Sequence, residues 1–292
     1  SDPKLWTASV LFDPEQPVLM PATVTHDKYH RPWVYFGTGR LFSAGPGKDQ
    51  DDPTPGGIYG IKEGGPNGCW NSKAIAWREA CTEQIAFKNE SLYDVTNVVV
   101  KEEGLVGAKQ DIFGFAETEI STDKYNGGKN GWYIRLAHGD GAVNKDGEKV
   151  RKGGERVLSK PTLFAGALFL SRYTPDLSTG VCSIYGDSTL SAMYFETGTA
   201  FANTTNPGGV FSKPYSSKTV PDTSKIVVRD VDAGHGIFSK VSIVVGRDEE
   251  SKSGDSAIVT GTGADSRGNI RSFSFSIIPK KTGVRMFMDK VE

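Results

Sequence analysis

The chain has 292 residues, and its 34 Lys and Arg against 35 Asp and Glu leave a formal charge of −1. That balance gives no basic field for nucleic acid and no polybasic patch for a membrane surface. No apolar run approaches the length of a membrane-spanning helix, and 35 glycines with 15 prolines make the chain turn-rich without being low-complexity.

Taken in order, Leu5 to Phe12 and Val18 to Val24 read as strands separated by Asp13-Pro14. Met20 to Val24, Trp33 to Arg40 (WVYFGTGR) and Gly57 to Ile61 (GIYGI) form a first set of three apolar runs. The stretch after Arg40 is too rich in Gly, Pro and Asp for regular structure. Asn71 to Phe87 predicts one short helix on a long loop: Ser72 suits its cap, Ala74, Ile75, Ala76 and Ala80 favour it, and no Pro interrupts it. Val95 to Val100 and Trp132 to Leu136 predict strands, followed by a charged, Gly-rich loop from Ala137 to Gly154.

Gly154 to Gly198 holds three closely spaced runs: Thr162 to Phe164, Ala167 to Tyr173 and Thr189 to Phe195. The Ala165-Gly166 connection requires antiparallel neighbours, because a parallel crossover needs a dozen or more residues, and the three runs together read as an antiparallel meander. After an irregular stretch from Asn203 to Thr223, the pattern returns in Lys240 to Val245, Ala257 to Gly263 and Ile270 to Phe275, and Val284 to Met288 predicts a last strand. The second strand of the first and third sets ends in Gly-Thr-Gly. No helix follows either copy, so the glycines read as a strand-end device that admits close packing, and not as a phosphate loop. Three small antiparallel sheets in series predict an all-β chain with long loops. The expected architecture is a β-propeller, seven-bladed-like, that residues 1–292 complete in full or in part.

Little in the sequence points to catalysis. There is no Gly-x-Ser-x-Gly elbow, no His-Glu-x-x-His and no Walker-type loop, and Glu155-Arg156 reads as a solvated strand edge. His26 and His30 share one turn without a third ligand nearby, which predicts a polar surface turn. Hard cations take clustered loop oxygens, so calcium is a candidate cofactor at Asp49, Asp51 and Asp52, or at Asn144, Asp146 and Glu148, with Asp230 and Asp232 a weaker pair. Solvated turn acids are the alternative at each. Cys69 and Cys81 enclose eleven residues, compatible with a local disulfide or with two free thiols, and Cys182 is left over.

The segments WVYFGTGR (33–40), GIYGI (57–61), GWYIRL (131–136), GERVLSKPTLFAGALFLSRYTPD (154–176) and CSIYGDSTLSAMYFETG (182–198) resemble, in order, the signatures of the C-terminal β-propeller of the PilY family. The resemblance covers roughly Val18 to Phe201. It implies an exported, non-enzymatic protein of the type IV pilus, at the pilus tip or outer-membrane surface, that supports pilus assembly, opposes retraction and contributes to adhesion and surface sensing. Its implied partners are minor and major pilins, the N-terminal part of the same or a split protein, and a host or abiotic surface. The family's calcium loop and variable N-terminal adhesin region have no counterpart here, so residues 1–292 are expected to be the C-terminal part of a longer or divided molecule.

Two other functions compete with this one. A quinoprotein-like dehydrogenase would need a cofactor, a calcium ligand set and a catalytic Asp in a central funnel. A lectin-like propeller would use aromatics such as Trp70, Trp77 or Tyr215 against carbohydrate.

Overall fold

The computed structural model describes residues 10–40, 56–63, 70–71, 76–77, 91–101, 105–106, 110–120, 129–137, 142–143, 149–150, 154–176, 186–202, 209–211, 226–247, 257–265 and 268–277. These residues are mostly β. In chain order the strands are β1 (Thr23–His26), β2 (Pro32–Gly37), β3 (Gly57–Lys62), β4 (Trp70–Asn71), β5 (Ala76–Trp77), β6 (Tyr93–Asp94), β7 (Leu105–Val106) and β8 (Gln110–Asp111). A short helix α1 (Ile112–Phe115) runs on through a wider π-helical stretch, Ala116–Ile120. Then come β9 (Gly131–Arg135), β10 (Ala142–Val143), β11 (Lys149–Val150), β12 (Arg156–Val157), β13 (Thr162–Phe164), β14 (Ala167–Pro175), β15 (Gly186–Tyr194), β16 (Asp230–His235), β17 (Ser242–Arg247), β18 (Ala257–Ala264) and β19 (Ile270–Ile277).

The three expected meanders are present as three sheets. The first runs β1-β2-β3-β9, all antiparallel, with β6 added parallel to β9. In the second, β12 and β13 share one edge of β14, and β15 and β16 follow. The third is β17-β18-β19. None of these sheets closes on itself. Ala165 and Gly166, both at positive φ (49° and 85°), make the two-residue hairpin between β13 and β14, because paired left-handed residues match the twist of the flanking strands.

The second sheet occupies the middle. Leu168, Leu170 and Met193 pack with Trp33, Tyr35, Ile58, Trp132 and Ile134 of the first sheet, whereas Phe169, Leu190 and Ala192 pack toward Phe238, Val241 and Phe273. With both faces covered, β14 has no polar side to present to water, which is why ALFL lacks strict alternation. Side-chain hydroxyls staple one sheet to the next. Thr23 Oγ1 donates to the Pro161 carbonyl (2.6 Å), Thr162 Oγ1 to that of Val241 (3.0 Å) and Ser171 Oγ to that of Phe238 (3.2 Å).

The glycine motifs are packing devices. A Cβ on Gly37 would lie 2.3 Å from Val157 Cγ2, and one on Gly39 2.3 Å from Arg156 Cβ. This lets Val157 N donate to the Thr38 carbonyl at 3.0 Å. The echo at Gly261 and Gly263 makes room for Phe273 and Phe238. Trp132 is fully buried in a slot whose walls are Gly60 and Gly198, where a Cβ on either would lie 2.4 Å from the indole, and its Nε1 donates to the Phe195 carbonyl at 2.9 Å.

Three sequence expectations are corrected. Trp70–Asn71 and Ala76–Trp77 pair as antiparallel strands, so the stretch from Asn71 does not begin as a helix; residues 72–75 and 78–87 lie outside the described residues. A moderate apolar stripe offers little face to bury, and helices in proteins depend on that burial. The short helix sits instead at Ile112, where Asp111 Oδ1 accepts from Gly114 N at 2.7 Å and Ile112 and Phe115 are buried. Val95 to Val100 is not a strand: the chain turns at Thr96-Asn97, because Asp94 Oδ1 captures both the amide (3.0 Å) and the hydroxyl (2.6 Å) of Thr96 and ends β6 there, and Val100 makes an isolated bridge to Val106. Glu155-Arg156 is no solvated edge. Arg156 is buried with Nη1 on the Arg40 carbonyl (2.6 Å), and Glu155 accepts from Ala137 N and pairs with Arg172.

Gly198→Ala tests the tryptophan slot. At φ +67° the substitution should cost about 1–2 kcal/mol for backbone conformation and about 1–3 kcal/mol more for overpacking against Trp132. Gly268→Ala, at φ +81° with nothing within 4 Å, should show the backbone cost alone in the same urea titration. Equal losses in the two variants would mean that the slot is not tight.

Candidate functional site

The chemically loaded region lies where the turn after β15 covers the first sheet. It starts with the β1–β2 connection, Asp27-Lys28-Tyr29-His30-Arg31. Asp favours such turns because its carboxylate can bond the backbone ahead of it. Here Asp27 Oδ1 accepts from Tyr29 N and Arg31 N, both at 2.9 Å, and Oδ2 accepts from Arg31 Nε (2.7 Å) and Trp33 Nε1 (3.2 Å). The carboxylate is buried with four donors, and Arg31 stacks over the Tyr29 ring at 4.7 Å.

Lys62 ends β3 directly opposite Trp33. It is almost completely buried, and its Nζ donates to the Ile120 carbonyl at 2.7 Å, closing the end of the π-helical stretch. No carboxylate pairs with it among the described residues. Burial, with Arg31 adding repulsion, pulls its ammonium down to about 7. Glu196 comes from the covering turn, which closes by Gly198 N to the Tyr194 carbonyl (2.8 Å) and by a contact between the Thr197 and Thr199 hydroxyls (2.7 Å). The Glu196 carboxyl accepts from Tyr194 Oη at 3.3 Å. Burial first, and the Asp27 charge second, push it up to about 7.

Aromatic rings wall this cluster. Trp33 stacks on Tyr35 (6.0 Å), and Phe195 meets both edge-on (6.4 Å each). The Tyr35 hydroxyl is buried without a hydrogen-bond partner, and its pKa is driven well above the ordinary value mainly by burial. Near neutral pH the region therefore holds a carboxyl and an amine that both exchange their protons, each buried away from water. It can move a proton, or present an uncharged amine to an electrophile.

A second ionic cluster ties sheets together. Arg172 pairs with Glu155 (3.3 Å) and Asp230 (3.0 Å), and Asp230 also takes Arg229 (3.2 Å) and the Ser191 hydroxyl (2.6 Å). Arg229 reaches across to the carbonyls of Val95 and Thr96, both at 3.2 Å. Although burial opposes it, the two guanidiniums and the hydrogen bonds hold the Asp230 carboxyl below its usual value. Asp230 is thus committed to arginines, and Asp232 Oδ1 to Gly234 N (2.8 Å), so the Asp230/Asp232 pair does not form an open cation site.

Asp49, Asp51, Asp52, Asn144, Asp146, Glu148, Cys69, Cys81 and Cys182 all lie outside the described residues. Among the described residues, no three His, Cys, Asp or Glu side chains group as metal ligands. His26 and His30 are exposed at the β1–β2 turn, as expected. His235 is exposed with Nδ1 3.0 Å from Asp187 Oδ1. Sequence reasoning missed Asp27, Lys62 and Glu196. The one available signal was their placement, each a charged residue abutting an apolar strand or its turn. No family model, curated protein or solved structure matches the chain.

The sign of the Glu196 shift fixes a pH dependence. Its carboxyl titrates at about 7 in the fold against an ordinary 4.5, so the fold is favoured below 4.5 and loses stability as pH rises through 7. The loss is on the order of 3 kcal/mol. In Glu196→Gln the decline in urea midpoint over this window should flatten; an unchanged slope would exclude Glu196 as its source.

Proposed function

We propose that the chain is a PilY-type, non-enzymatic component of the type IV pilus, exported to the pilus tip or outer-membrane surface, that acts by contact with pilins. One observation carries the reading: the separate segments of the resemblance interlock. Gly37 and Gly39 of the FGTGR segment admit Arg156 and Val157 of the GERV segment. Gly60 of GIYGI and Gly198 of the ETG turn form the slot for Trp132 of GWY. Short segments spaced over more than a hundred residues that meet as packing partners are what a shared scaffold requires, and chance resemblance does not require it.

The propeller architecture belongs to the same proposal. Three sheets stack face to face in chain order, and the first two each hold an antiparallel run of four strands, β1-β2-β3-β9 and β12-β14-β15-β16, beside one further strand, which supports blades of a ring. Contact surfaces then lie on the irregular connections, where a rigid scaffold displays variable loops. Glycine-lined slots serve packing and leave the chemistry of binding to those loops.

Purified protein immobilised on a sensor should bind minor or major pilins, and cells lacking the chain should lose surface pili or twitching movement. Absence of pilin binding together with unaltered piliation and adhesion would overturn the assignment. A quinone or haem band in the visible spectrum of the purified protein would favour the dehydrogenase alternative instead.

A further inference from the structure

A sheet that does not close leaves a row of N–H and C=O groups on each outer strand, able to pair with another chain. Most such edges among the described residues are too short to serve. β6 and β12 have two residues, β13 three and β1 four. β16 is longer, but it carries Asp230, Asp232 and His235, and its register with β15 shifts between Ser188 and Thr189. The third sheet is different. It ends in β17 and β19, whose pairings with β18 run over six and eight residues without a bulge.

β17 (SIVVGR) shows apolar side chains on both faces. Ile243 packs against the core cluster that holds Phe273, and Val245, two residues on, shares its face. Val244 lies on the other face, opposite Thr260. Val244 is 63% exposed and Val245 49%. Ser242 to Gly246 contains neither charge nor proline, the usual devices that turn an incoming strand away. Charges of opposite sign stand beyond the two ends. Lys240 precedes the strand, and in the sequence Arg247 is followed by Asp248, Glu249 and Glu250, which lie outside the described residues.

We infer that β17 is a self-pairing edge, through which two copies of this chain join antiparallel about a two-fold axis into one continuous six-stranded sheet. Opposed residues in an antiparallel pair share a face, so a register that keeps both core faces together matches even positions with even and odd with odd. With Val244 on the axis, each Val244 meets its own counterpart and each Ile243 meets Val245 of the second copy. The basic entry of each strand then meets the acidic exit of the other. Charge selects both the direction and the edge. A parallel copy would set basic entry against basic entry. In β19 the sequence has Arg267 and Arg271 about its start and Lys280 and Lys281 after its end, so antiparallel copies there would bring like charges together. Because each copy spends its own β17, the contact closes at two chains. One six-residue edge is small for an interface, which makes the pair reversible and concentration-dependent. The inference is independent of the pilus assignment.

Sedimentation velocity of the full chain over a concentration series, at low and high salt, tests it. The mean mass should rise from one chain to two and stop there, at higher concentration when salt screens the paired ends. Val244→Lys places two like charges face to face on the axis and should weaken the dimer by about tenfold. Its urea midpoint, taken on the monomer, should stay at the wild-type value because the side chain is exposed. Ile270→Lys, at a 77% exposed position on β19, should leave the dimer intact. Val244→Cys, mildly oxidised, should yield a covalent pair in which the tryptic peptide 241–247 is linked to itself, and Val245→Cys should link far less. A wild-type chain that stays monomeric throughout overturns the inference, including one that binds an extended pilin segment through β17 instead. A dimer kept in Val244→Lys but lost in Ile270→Lys also overturns it, as does growth past two chains. Preferential self-linking of Val245→Cys overturns the register.

Discussion

Insertion of Trp132 between Gly60 and Gly198 is the contact on which the rest of the described structure depends. The indole is fully buried, and its Nε1 spends its one hydrogen bond on the Phe195 carbonyl across the sheet boundary. A side chain of this size dominates local packing, and the polar edge needs a partner wherever it is buried. Two glycines supply the room and the covering turn supplies the acceptor. Once these are in place, Phe195 is set against Trp33 and Tyr35, and Leu168, Leu170 and Met193 face the first sheet. The first and second sheets are then fixed in one relation to each other.

The same placement creates the electrostatic peculiarity of the molecule. Closing the Tyr194–Gly198 turn over the first sheet buries Glu196 among the charges of Asp27, Arg31 and Lys28. Asp27 answers burial with four donors, whereas Lys62 has one carbonyl and Glu196 one phenol. Unequal satisfaction separates their chemistry. The saturated carboxylate becomes a structural element, while burial pulls the poorly served amine down and pushes the poorly served acid up. By contrast, Asp230 lies between two guanidiniums and a hydroxyl, and serves as a brace between sheets.

Much of the architecture was legible from residue order. The three meanders follow from apolar runs separated by turn residues, and Ala165-Gly166 was placed correctly as the break before β14. The strand-end reading of Gly-Thr-Gly also held, since Val157 in one copy and Phe273 in the other fill the space that a Cβ would need. Local propensity misled where tertiary demands ruled. Ala76, which helix propensity favours, pairs with Asn71 in strands, and Asp94 ends a strand that Val95 and Val98–Val100 would favour. The candidate site was illegible for a different reason. Asp27, Lys62 and Glu196 are distant in sequence, and nothing in their spacing announces that a turn 134 residues after Lys62 will close over it. Burial of a charge is a property of the assembled sheets, so a linear reading had placed Glu155-Arg156 in solvent as well.

The close approach of Gly37 to Val157 has an evolutionary side. A methyl group at position 37 collides with the branches of one valine and nothing else within the nearest atoms. That constraint belongs to the pair and not to either residue: with the Val157 Cβ itself 2.4 Å from the added methyl, Ala at 37 is admissible once 157 gives up its Cβ as glycine. Gly39 differs, because its φ of +139° excludes a side chain whatever stands at 156. Among related chains, positions 37 and 157 should drift together as a correlated pair, while position 39 stays glycine by itself. The two glycines of one short motif therefore record different kinds of history, one negotiable through its partner and one fixed by the backbone.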